Sequence, residues 1–188
     1  MTRTSPGMST HVRWAVASLL VAVGAAAGVF VADAGVASAA PACPTNLDTR
    51  IAVSATVNAL RDSCTQQQFD ALFGRLAAGP LPTNVVMNGQ TRPVGPPNQA
   101  AGAAAAAVWS GKHFYNGWLN NRVLGGEAVA ANVHYGLSVI DKMPVVWIDY
   151  SRAGLPFAHD ELRRMPNGVY VGYGFLGEVP MVDFWVWR

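Results

Sequence analysis

Between positions 129 and 139 every odd residue is apolar: Val129, Ala131, Val133, Tyr135, Leu137 and Val139. Asn132, His134, Gly136 and Ser138 fall between them. Successive side chains of a strand point to opposite faces of a sheet, so this alternation predicts a half-buried strand with Val129, Val133, Tyr135 and Leu137 inside. Apolar runs of strand length follow at 143–151, 169–176 and 181–187, and a charged one lies at 159–165. Asp141-Lys142, Gly154-Leu155-Pro156 and Pro166-Asn167-Gly168 supply the turns between them. Residues 109–188 thus read as an antiparallel meander of five or more strands. Curling into a barrel removes the exposed edges, so a mainly β protein built on a barrel or strongly curved meander is the expected architecture.

The preceding residues follow a helical period. Thr65-Gln66-Gln67-Gln68 has the form of a capping box, Phe69, Leu72, Phe73 and Leu76 recur at helical spacing, and Gly79-Pro80 ends the pattern. Residues 47–62 repeat it with Leu47, Ile51, Val57 and Leu60. Residues 40–79 therefore predict a helical hairpin. Residues 80–108, broken by Pro80, Pro82, Pro93, Pro96 and Pro97 and followed by Ala103–Ala107, read as a connection, with Asn88-Gly89 a candidate tight turn.

Residues 1–39 read as a signal peptide. Arg3 and Arg13 precede 18 uncharged residues, Trp14 to Val31, and Ala37-Ser38-Ala39 offers a cleavage site near Ala39. No Arg-Arg pair precedes the apolar run, so the general export route is expected. The run is long enough to leave an uncleaved anchor as the alternative. Cys43 follows Ala40-Pro41-Ala42, without the leucine a lipid-attachment site needs. The expected location is secreted or cell-envelope. There, Cys43 and Cys64, the only two cysteines, form one disulfide. In the chain-entropy picture a loop of that size stabilises by about 3 kcal/mol.

Cleavage removes two of thirteen bases and one of eleven acids, leaving eleven against ten. Only two lysines, Lys112 and Lys142, are present. Without a concentrated basic face, nucleic-acid binding is not expected.

The charged run His159-Asp160-Glu161-Leu162-Arg163-Arg164-Met165 lies between the apolar strands. Alternation sends its charges to both faces, and a charge taken out of water needs a partner or a ligand. Trp109-Ser110-Gly111-Lys112, Asn121-Arg122, Asp149-Tyr150-Ser151, Asp160-Glu161-Leu162-Arg163 and Gly168-Val169-Tyr170-Val171-Gly172 occur in that order. In these motifs the C-terminal 80 or so residues resemble a family of uncharacterised bacterial proteins with small lipocalin-like β-barrel domains, some of them exported. The chain departs from that pattern at Asp141-Lys142, where Asp-Gly is usual, and in its Trp185-Val186-Trp187 ending. The resemblance implies a barrel but no activity. The Trp-x-Gly-Lys element is also similar to the barrel-floor tryptophan of lipocalins, implying a cation such as Arg122 or Arg188 on Trp109, a contact worth about 1 kcal/mol.

The candidate ligand-binding set is Lys112, Arg122, Asp149, Tyr150, Glu161 and Arg163. Arginine forks and a tyrosine hydroxyl suit the carboxylate or phosphate of a lipid-like, amphipathic ligand. Val145, Trp147, Tyr170, Phe175 and Phe184 would hold its tail. The competing interpretation is a structural network, with Arg122 or Arg163 paired to Asp149 or Glu161. No catalytic residue, metal ligand set or cofactor is assigned: Ser138 and Ser151 lack a Gly-x-Ser-x-Gly context, and His113, His134 and His159 lack metal-ligand spacing. Two alternatives stay open. One is a small barrel enzyme (isomerase, cyclase or hydrolase) using His159 with Asp160 or Glu161. The other is an envelope interaction protein whose Phe184-Trp185-Val186-Trp187 segment forms an aromatic patch.

Overall fold

The computed structural model describes residues 42–44, 52–94, 104 and 107–188, all within one compact unit, Ala37–Arg188. The proposed signal peptide lies outside the described residues, as do Leu47 and Ile51. Helices α1 (Val53–Asp62) and α2 (Gln66–Arg75) lead into eight strands. These are β1 (Val85–Pro93), β2 (Trp109–Phe114), β3 (Trp118–Val123), β4 (Gly126–Leu137), β5 (Pro144–Asp149), β6 (Ala158–Arg164), β7 (Tyr170–Leu176) and β8 (Val179–Trp187). A single 3-10 turn, Tyr150–Ala153, joins β5 to β6. Each strand pairs antiparallel with its sequence neighbours, and β8 returns to β1 to close the barrel. The fold is mainly β with a helical hairpin, as the periodicities predict.

Strand β1 comes from the stretch read as a connection. Asn88-Gly89 is no turn: Asn88 pairs with Gly111 of β2, and Gly89 pairs with Val186 of β8. A Cβ at Gly89 would lie 2.4 Å from the Trp109 ring. The glycine is there because an indole crosses the strand, a tertiary demand that imitates a turn signal in sequence.

Strand β4 corrects the predicted interior. Ala131 and Val133 are buried, but Tyr135 is 55% and Leu137 61% exposed, while Ser138 is fully buried. β3 begins at Trp118 opposite Asn132, so the last turns of the β4 pleat run past the rim without a β3 neighbour. Their inner face opens to water. Val129 sits at a register shift between β3 and β4, with φ 56°, and is 36% exposed. This bulge interrupts the alternation.

Two cores result. Inside the barrel, Phe114, Leu119, Val146, Ile148, Leu162 and Val186 meet. Outside it, α1 and α2 cover β6–β8, where Leu60, Phe69, Leu72 and Phe73 contact Val171, Tyr173 and Trp185. Thr65 closes a capping box: its hydroxyl accepts from Gln68 N (3.2 Å), and Gln68 Oε1 accepts from Thr65 N (2.9 Å). The Cys43–Cys64 disulfide ties the residues before α1 to the loop between the helices. Asp183 on β8 lies beneath α2, accepting from Arg92 and Gln66, and burial pushes its carboxyl up to about 6.

Ile148→Ala, inside the barrel, is expected to cost about 2–5 kcal/mol, and Leu137→Ala, beyond the rim, under about 0.5 kcal/mol. Urea unfolding of the two variants tests this order.

Candidate functional site

Lys112 on β2 is fully inside the barrel, and its ammonium donates three hydrogen bonds. They go to Asp160 Oδ2 on β6 (2.7 Å), Tyr150 Oη in the 3-10 turn (2.8 Å) and Asn121 Oδ1 on β3 (2.9 Å). Together these bonds use all three protons of an ammonium group. Burial lowers the Lys112 pKa, and Asp160 acts against that shift. Tyr150 donates to Asp160 Oδ2 (2.7 Å), and its pKa is driven well up, first by burial and then by Asp160. Asn121 donates through Nδ2 to Tyr150 Oη (3.1 Å) and to Val129 O (3.0 Å). The bulge thus turns a backbone carbonyl inward to complete the asparagine.

Aromatic rings enclose the ammonium. Lys112 Nζ lies 5.4 Å from the Trp109 centroid and 5.1 Å from that of Phe184, and Trp109 Nε1 donates to Asn121 Oδ1 (2.9 Å). The cation beside Trp109 is therefore Lys112, rather than the expected Arg122 or Arg188. Against this cluster opens a cavity of about 300 Å³. Its other walls are largely apolar, including Val123, Val129, Leu155, Ala158, Val182 and Phe184. Gly174 on β7 makes room for Asp160, because a Cβ there would stand 3.1 Å from Oδ1.

Of the six candidate residues, Lys112 and Tyr150 come together at this cavity and the other four do not. Arg122 points away from the interior and donates to Asn88 Oδ1 (3.2 Å). Asp149 caps the 3-10 turn, accepting from Ser151 N (2.8 Å) and Oγ (2.6 Å), which holds its carboxyl below the usual range. Glu161 and Arg163 lie on the outer wall. Glu161 Oε1 accepts from Val139 N (2.7 Å). Arg163 forms a two-pronged pair with Asp141 (2.6 and 2.8 Å), donates to Phe73 O (3.0 Å), and lies 4.4 Å over the Phe73 ring. Its acid is Asp141, in the turn after β4, not Asp149 or Glu161. Among the proposed tail contacts, Tyr170 and Phe184 are interior, whereas Val145, Trp147 and Phe175 belong to the outer core.

Asn121 and Asp160 complete the cluster, and neither was in the candidate set. Each of the first four quoted motifs contributes a member: Trp109 and Lys112, Asn121, Tyr150, and Asp160. Their common inward facing was the signal. His159 and Asp160 are adjacent in sequence but lie on opposite faces of β6. His159 is stacked between Trp147 (4.0 Å) and Phe175 (4.7 Å) on the outer wall. His113 binds Glu127 (2.6 Å) outside the barrel, and that contact, with bonds from Asn120 and Tyr115, lowers the Glu127 carboxyl to about 2. Among the described residues no three His, Cys, Asp or Glu side chains gather as a metal site.

The chain matches no protein-family model, no curated protein and no solved structure.

The outer location of Arg163 gives it a bracing role. Arg163→Ala is expected to destabilise the fold by about 3 kcal/mol, through loss of a largely buried pair and the stem's packing. Urea unfolding of the variant beside the wild type measures the loss.

Proposed function

We propose that this chain is an exported barrel protein that holds a small, mainly apolar molecule with one polar end in its interior. The observation that carries this reading is the pairing of an apolar cavity with a single buried polar cluster. Small-molecule sites combine apolar walls with a few placed polar groups in this way. At about 300 Å³ the space is at the small end of such sites and suits a compact ligand rather than a long lipid.

Three further features support the reading. The motif order of residues 109–188 resembles a lipocalin-like family, and four of those motifs converge on the cavity. The residue pattern of 1–39 fits a leader for export, and the Cys43–Cys64 disulfide fits an oxidising compartment. The arginine-based recognition of an anionic head is not part of the proposal, because Arg122 and Arg163 lie outside the barrel.

Native mass spectrometry of protein purified from its own envelope, followed by organic extraction, is expected to release a small amphipathic compound. Val182→Phe, which directs a larger ring into the cavity, should abolish that adduct without loss of folding. An adduct that persists in Val182→Phe places the ligand elsewhere, and its absence from wild type rejects the proposal.

A further inference from the structure

Resting on that reading, the atoms lining the cavity specify the polar end of the ligand. Five lining side chains can donate hydrogen bonds: Thr91, Trp109, Lys112, Asn121 and Tyr150. All their donors are engaged within the protein. Lys112 uses three, Asn121 two, and Tyr150 and Trp109 one each, all but the Asn121 bond to Val129 O inside the cluster. The Thr91 hydroxyl donates to Asp183 O (2.8 Å). On the acceptor side, both donors reaching Asp160 converge on Oδ2. Oδ1 receives no hydrogen bond from the described residues, and Asp160 lines the cavity.

The geometry points to a neutral ligand carrying a hydrogen-bond donor, an apolar alcohol, whose hydroxyl binds Asp160 Oδ1. A carboxylate or phosphate brings only acceptors and a negative charge to a wall with no donor to offer, beside an aspartate. Desolvating such a group without a partner is costly. An ammonium brings donors, but Lys112 already balances Asp160, so a second cation would enter a low-dielectric space uncompensated. A hydroxyl meets the one open valence of the cluster and adds no charge. This reverses the anionic head that the residue types alone suggest.

The test compares four probes on the wild-type exported chain by isothermal titration at pH 7: n-octanol, its isomer heptyl methyl ether, octanoate and octylamine. Octanol and the ether have the same atoms and differ in whether the oxygen carries a proton. Octanol is expected to bind at least about tenfold more tightly than the ether, the worth of one hydrogen bond to a charged acceptor. It should also exceed octanoate and octylamine. An ether that binds as well as octanol removes the donor requirement and overturns the inference. Tighter binding of octanoate or octylamine overturns it too, while leaving the cavity as a binding site. If none of the four binds, the cavity reading and this inference fall together.

Discussion

Strand β6 is covered on both faces, so the charges of Asp160, Glu161 and Arg163 are taken out of water and depend on groups inside the protein. Inward, Asp160 meets Lys112 and Tyr150; outward, Glu161 takes the Val139 amide, and Arg163 reaches Asp141 and Phe73 O. These partners come from β2, the turn after β4, the 3-10 turn and α2. One strand thus fixes the position of four other segments. An uncompensated charge at any of these places would cost several kcal/mol, a sizeable part of a domain's net stability. The helical hairpin follows from the same constraint, since without α1 and α2 the outer face of β6–β8 would lie in water.

The interior cluster depends on departures from regular β geometry. The β4 bulge puts Val129 at positive φ and supplies the carbonyl that Asn121 needs. Gly174 leaves space beside Asp160, and Gly89 lets Trp109 lie across β1 above Lys112. Bulges and strand glycines recur where a sheet must admit a side chain or a ligand. Here they collect at one end of the barrel, around one cavity.

Much of this architecture was legible in the sequence. Period-two alternation and tight turns gave the barrel, the Thr65 capping box gave α2, and the parity of 159–165 separated Asp160 and Leu162 from Glu161 and Arg163. What was not legible depended on neighbours distant in sequence. Asn88-Gly89 has the composition of a turn, but the Trp109 ring decides its place. Tyr135 and Leu137 continue an inward pattern past Trp118, the first residue of β3. The expected acids for Arg163 are Asp149 and Glu161, yet its partner Asp141 lies in the turn after β4, a turn that the sequence marks without showing which strand it faces. The site was half legible: Lys112 and Tyr150 were identified by residue type, whereas Asn121 and Asp160 required the barrel's curvature to bring them together.

The central claim is that Lys112 and Asp160 form one interior unit on which both the fold and the cavity depend. A double-mutant cycle with Lys112→Met and Asp160→Leu tests it most directly, with unfolding free energies measured in urea. Each single change leaves one buried charge without its partner and should cost about 3–5 kcal/mol, whereas the double change removes both charges and should cost less than either alone. Costs that simply add in the double variant would contradict the account.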